Sequence, residues 1–123
     1  MVDAMGLALV AAGGAAGGVA RVTVAGLVPR RFGPSFPFGT LVVNLTGAFL
    51  IGLAAGLVSP DPAMCIWQLA VIGFLGSYTT VSSFSLQTLT LIHSGQHGRA
   101  AGNVVLSITL GVAAAALGFR LAA

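Results

Sequence analysis

The chain has 123 residues, of which 57% are hydrophobic and 6% charged, against about 25% charged in an ordinary soluble domain. Five arginines and two aspartates, with no lysine or glutamate, cannot solvate a globular surface, and a mean hydropathy of +1.05 spreads apolar residues beyond any core. A water-soluble globule is excluded, and lipid is the solvent. The isoelectric point near 10.6 comes from scattered arginines rather than a basic face with interleaved aromatics, which argues against a nucleic-acid partner. The lone cysteine, Cys65, makes neither an intramolecular disulfide nor a structural zinc site.

A helix needs about 20 apolar residues to cross the hydrocarbon, and runs of that length predict four transmembrane helices in one domain, residues 1–123. The chain opens Met1-Val2-Asp3 with no lysine or arginine in its first twenty residues, unlike a secretory signal, so the N-terminus reads as mature protein. The first span covers about 6–28 and stops at Pro29-Arg30-Arg31. The second covers about 38–58 and stops at Ser59-Pro60-Asp61-Pro62. The third covers about 66–92, with Trp67 as an interfacial anchor, and gives way to the polar stretch His93-Ser94-Gly95-Gln96-His97-Gly98-Arg99. The fourth covers about 102–119. No alternating strands suggest a barrel. Glycines four apart (Gly13/Gly17, Gly14/Gly18, Gly52/Gly56, Gly98/Gly102) predict close helix packing in a compact bundle or dimer. One side of the membrane carries Arg30, Arg31 and Arg99, the other Asp3, Asp61 and Arg120. That bias is weak enough to leave both orientations open.

Polar groups inside a membrane need a partner, a wet path or a function. Arg21 lies about 12 Å inside the end of the first span, either as a snorkelling anchor or as a positive group that draws anions into a vestibule. Asn44, about six residues into the second span, offers two amide donors, for a helix–helix hydrogen bond or for an anion. From Ser77 to Thr90, eight of fourteen positions are serine or threonine. These hydroxyls either bond back to their own i−4 carbonyls and bend the helix or line a path. A helix resuming after Thr79 places Thr80, Ser83, Phe84 and Gln87 on one face, a column of hydroxyls, ring edge and amide. The third span is about 40 Å long if continuous, and Gly76 with the poor helix formers after it predicts a break near 76–80. The freed carbonyls of Gly76 and Thr79 suit a cation. The only carboxylates, Asp3 and Asp61, sit at span ends, and His93 and His97 supply at most two metal ligands, so no enzyme constellation assembles.

Three segments then resemble the small fluoride channels of the Fluc (CrcB) family. They are Gly13-Gly14-Ala15-Ala16-Gly17 leading to Arg21, Pro37-Phe38-Gly39-Thr40 leading to Asn44 and Gly47, and Gly73-Phe74-Leu75-Gly76 leading to Thr79-Thr80-Val81-Ser82-Ser83-Phe84-Ser85. The resemblance spans the first three helices, while the fourth is compatible in length. It implies an antiparallel, dual-topology dimer with two pores in the plasma (inner) membrane of a prokaryote. In such a dimer the carbonyls of Gly76 and Thr79 from both subunits hold a structural sodium ion. Asn44, Phe84, Thr80, Ser83 and Ser107 line the fluoride path, with Gln87 on the same column and Arg21 in the vestibule.

Two positions depart from the family pattern: Val81 replaces the first phenylalanine, and Gln87 the usual glutamate. Because valine has no polarised ring edge, the departure predicts slower conduction by a homodimer, or a heterodimer in which a second family member supplies the aromatic. A small multidrug-resistance-like exporter needs a carboxylate within the membrane, which this chain lacks. A non-transporting assembly subunit explains the glycines but not the hydroxyls.

Overall fold

In the computed structural model, which describes residues 3–33, 35–58, 61 and 64–123, the chain is all-helical. Four helices are long and apolar enough to cross a membrane: α1 (Ala4–Phe32), α2 (Phe38–Leu57), α3 (Trp67–His93) and α4 (His97–Ala122). The opening Met1-Val2, and Ser59, Pro60 and Pro62 of the expected stop after the second span, lie outside the described residues.

Three helix ends differ from expectation for local reasons, and α4 also runs past 119 to Ala122. α1 begins at Ala4 because the Asp3 carboxylate accepts the Gly6 N–H at 2.7 Å, satisfying one of the unpaired donors of the first turn. It runs through Pro29-Arg30-Arg31 to Phe32, because a proline in the last turn removes only one hydrogen bond, and it ends at Gly33, whose φ of +83° suits a residue without Cβ. The two arginines lie beside the unpaired carbonyls of that turn, where positive charge is favoured. α4 begins at His97 rather than near 102, so most of the polar stretch 93–99 is helical. The chain reverses within Ser94-Gly95-Gln96: the Gln96 N–H donates to the Leu91 carbonyl at 2.8 Å, and Gly95 has φ +77°.

α3 is irregular along its length. Residues Trp67–Leu75 are π-helical, Gly76–Tyr78 form one further turn, Thr79 is extended (φ −81°, ψ 157°), and helix resumes over Ser82–His93. The span therefore bends near its middle.

The bundle is two tightly joined pairs. α1 lies along the π-helical part of α3, where a Cβ on Gly13 would collide with the Leu69 carbonyl oxygen and one on Gly17 with that of Phe74. α2 lies along α4, where a Cβ on Gly52 would strike the Ala115 carbonyl oxygen and one on Gly56 would come within 2.8 Å of the Phe119 oxygen. Backbone thus touches backbone, the contact small residues permit where no hydrophobic force drives helices together. Of the other two glycine pairs only Gly14 packs closely, with the Ser77 hydroxyl 3.1 Å from where its Cβ would lie; Gly18 and Gly98 have nothing within 4 Å, and Gly102 only the edge of the Phe36 ring. A small core of Val43, Leu75 and Tyr78, flanked by Ala20, Val24, Ala25 and Phe74, joins the pairs. Outward faces are apolar, with Val19, Val22, Leu86, Val112 and Leu121 all exposed.

Gly17→Ala is expected to force α1 off α3 and cost about 1–3 kcal/mol, as overpacking does. Gly18→Ala is expected to be neutral or slightly stabilising. Thermal unfolding of both variants in detergent, followed by size-exclusion chromatography, distinguishes them.

Candidate functional site

The mid-span bend of α3 is held by a side chain of α2. Asn44 Nδ2 donates to the Thr80 carbonyl and Asn44 Oδ1 accepts the Thr80 N–H, both at 2.8 Å. One amide therefore replaces both helical partners of a residue that lies outside regular helix. Gly47, one turn further along α2, makes the approach possible, since a Cβ there would collide with the Thr79 methyl.

The Thr80 hydroxyl does not stand in a helical column as expected. Helix resumes at Ser82, and Thr80 Oγ1 instead accepts the Ser83 N–H at 3.1 Å, capping the new helix from just outside it, while also lying 3.1 Å from Ser82 Oγ. Two carbonyls lose their donors as a result. The Thr80 N–H, which would have closed onto the Gly76 carbonyl, goes to Asn44, and the Ser83 N–H, which would have closed onto the Thr79 carbonyl, goes to Thr80 Oγ1. Neither carbonyl receives another backbone hydrogen bond outside regular helix among the described residues.

The serine-threonine run divides between its two readings. Thr79, Thr88 and Thr90 donate to the i−4 carbonyls of Leu75, Phe84 and Leu86, at 3.0, 2.8 and 2.8 Å. Thr80 and Ser83 face space. Asn44, Gly76, Thr79, Thr80 and Val81 line a cavity of about 450 Å³, and Arg21, Thr40, Thr80 and Ser83 line a second of about 360 Å³. Thr80 borders both. Thr40 borders the second and a third cavity of about 380 Å³, where it meets Gln87, Thr90 and Ser35. The three spaces follow one another from the bend toward the end of the bundle that carries Arg30 and Arg31.

Arg21 is half-buried and reaches the cavity of Thr80 and Ser83, so it lies beside the hydroxyls. Gln87 Oε1 is buried with no hydrogen-bond partner. Phe84 and Ser107 are half-buried and line none of these three cavities. Val81 is 76% exposed and contributes almost nothing to packing within the chain. His93 and His97 are exposed on either side of the α3–α4 turn, and no group of three or more His, Cys, Asp or Glu that could hold a metal occurs among the described residues.

Two residues escape the sequence reading. Asn103, only 1% exposed, donates from Nδ2 to Thr88 Oγ1 at 2.9 Å, and Thr88 passes its own proton to the Phe84 carbonyl. This relay fixes the second half of α3 against α4. An asparagine in an apolar span is the same signal that marks Asn44, and it was available in the sequence. Thr40, 6% exposed, is visible only in three dimensions because its importance comes from touching two cavities.

Asn44→Leu strands a buried donor and a buried acceptor on Thr80, each costing about 1–3 kcal/mol. Asn44→Asp keeps the acceptor for the Thr80 N–H and is expected to lose less. The order of melting temperatures, wild type above Asn44→Asp above Asn44→Leu, checks the clasp.

Residues 8–119 match the family described as CrcB-like protein, Camphor Resistance (CrcB). The chain is 49% identical over 125 residues to a Bradyrhizobium diazoefficiens protein named Fluoride-specific ion channel FluC 2, covering 95% of this chain and 88% of that one. It is 48% identical over 113 residues to Fluoride-specific ion channel FluC of Opitutus terrae, with 89% and 86% covered. It is 52% identical over 103 residues to the protein of that name from Rhodospirillum rubrum, with 80% of each chain covered. With the match running through all four helices, the chain belongs to the CrcB family.

Proposed function

We propose that the chain is a subunit of a passive, fluoride-selective channel in a prokaryotic plasma (inner) membrane, which lets fluoride leave the cytoplasm and so limits its toxicity. The observation that carries this reading is the row of uncharged donors at the α3 bend, with Arg21 on the same cavity and both aspartates at span ends. Fluoride is small and strongly hydrated, so a pore must replace its water with donors aimed inward. An amide nitrogen carries two hydrogens; Asn44 gives one to Thr80, which leaves one for an ion. Neutral donors at successive sites bind without trapping, and the attraction of Arg21 concentrates anions near them. With the cell interior negative, passive flow runs outward. The names of the relatives support the choice of anion.

The proposed assembly is an antiparallel, dual-topology dimer, with a structural sodium ion held by the Gly76 and Thr79 carbonyls of both subunits. The residues fit that group: the clasp and the cap leave both carbonyls without their helical donors, and a cation is what such carbonyls accept within a membrane. Phe84 and Ser107, which line none of these cavities of one chain, join the path in this reading only when two subunits meet.

A second reading, a heterodimer with another family member, is favoured by two observations. Val81 projects from the bend at 76% exposure, where an aromatic edge would face an anion favourably. The bias of three arginines against one also suits a fixed orientation.

Liposomes containing only this protein, followed with a fluoride electrode, test the proposal. Fluoride efflux without chloride efflux is expected, and equal efflux of both ions would overturn selectivity. Thr80→Val, which removes both the cap and a donor, is expected to slow efflux by about 10- to 100-fold, the worth of one hydrogen bond to a charged group. Val81→Phe is expected to raise homodimer flux; unchanged flux would sink the ring-edge argument. No efflux from the wild-type protein alone, restored by adding a second family member, would select the heterodimer.

A further inference from the structure

The Asn44 clasp is not the only hold that α2 has on the bend. Two residues further along α2, the Thr46 hydroxyl lies 2.8 Å from the Tyr78 hydroxyl. Counting protons gives the direction of that bond. Thr46 Oγ1 also lies 2.8 Å from the Val42 carbonyl and 3.1 Å from that of Val43, and a carbonyl only accepts, so the single Thr46 proton is committed to its own helix. The Tyr78 hydroxyl is therefore the donor to Thr46. Tyr78 is 6% exposed, packs with Val43 and Leu75 in the core, and stacks on Phe74 with ring centroids 5.8 Å apart, so the phenol has a fixed direction.

α2 thus holds α3 on both sides of Thr79, at Tyr78 through Thr46 and at Thr80 through Asn44. The N–H and the hydroxyl of Thr79 both donate to the Leu75 carbonyl, at 3.1 and 3.0 Å, and its methyl lies against Gly47. What remains is the Thr79 carbonyl, which has lost its helical donor. Thr79 and Gly76, which shares a turn with Tyr78, border the cavity of about 450 Å³. With both neighbours of Thr79 tied to α2, that carbonyl turns only as far as the tethers allow.

We infer that the Tyr78 hydroxyl is a positioning group which, through Thr46, fixes the direction of the Thr79 carbonyl toward the sodium ion proposed above. The inference rests on that proposed ion site and on none of the fluoride chemistry. The core does not require a tyrosine, since phenylalanine fills nearly the same volume and stacks in the same way. The hydroxyl adds one directed bond, in a medium with no water to substitute for it. Removing a group that orients a metal ligand typically weakens binding about 10- to 100-fold.

The test follows thermal unfolding of the full-length protein in detergent as sodium replaces N-methylglucamine at constant chloride. A bound ion stabilises the folded state once its concentration exceeds its dissociation constant, so the sodium concentration at which the melting temperature begins to rise reports affinity, separately from the sodium-free melting temperature. In Tyr78→Phe and in Thr46→Val that onset is expected about tenfold higher than in the wild type. The double variant is expected to shift no further than either single one, because both remove the same bond. Thr46→Ser keeps the hydroxyl and is expected to keep the wild-type onset. A lower sodium-free melting temperature with an unchanged onset, in either Tyr78→Phe or Thr46→Val, would overturn the inference, since a tether that only supports the fold moves the first reading and not the second. So would single shifts that add in the double variant, or a Thr46→Ser onset as high as that of Thr46→Val. A wild-type melting temperature indifferent to sodium would remove the proposed ion site itself, and the inference with it. If Tyr78→Phe does not fold, the comparison of Thr46→Val with Thr46→Ser decides the same point.

Discussion

Two hydrogen bonds between the Asn44 amide and the backbone N–H and carbonyl of Thr80 are the constraint on which the rest of the molecule depends. A membrane offers no water to satisfy backbone exposed at a bend, so an unpaired peptide there is expensive and irregular chain survives only where protein supplies the partners. Asparagine suits the task because its side chain is itself an amide and presents donor and acceptor together. With Thr80 held, α3 can bend there without leaving that residue's N–H and carbonyl unpaired, the Thr80 hydroxyl is free to cap the second half of the helix, and the Gly76 and Thr79 carbonyls are released. Gly47 belongs to the same device, since any side chain there would keep α2 from reaching Thr79.

Around that point the fold is built on backbone seams, α1 with α3, α2 with α4 and, where a Cβ on Gly39 would come within 2.7 Å of the Ala25 carbonyl oxygen, α1 with α2. The α1–α3 and α2–α4 contacts are made through glycines facing carbonyl oxygens, and the apolar core joining them is small. Packing of this kind uses dispersion and shape rather than exclusion of water, which is why large apolar side chains are turned outward instead of being gathered inside. The irregular α3 is tolerated because its first half is fastened to α1 by Gly13 and Gly17, and its second half to α4 by Asn103 through Thr88.

The four spans were legible from composition, because a run of about 20 apolar residues has few alternatives in lipid. Their ends were less so. Pro29 looks like a stop, yet a proline in a last turn forfeits a single bond, and the stretch 93–99 looks like a loop although Gly95 reverses the chain within three residues. At the site, Asn44, Thr80, Ser83 and Arg21 could be singled out because polar atoms in a span demand a reason. What they touch could not be read. Periodicity assigned Thr80 to the face of a helix, whereas its hydroxyl caps one, and the same polar signal at Asn103 went unused because its partner, Thr88, belongs to another helix.

The clasp also bears on how the protein is made. Synthesis delivers α2 to the membrane before α3, so for a time the Asn44 amide has no Thr80 to hold, and α3 arrives with an N–H and a carbonyl at Thr80 that its own helix does not satisfy. Neither span reaches its lowest free energy alone. Insertion of the second and third helices is thereby coupled, because the bend is satisfied only once both are in the membrane together.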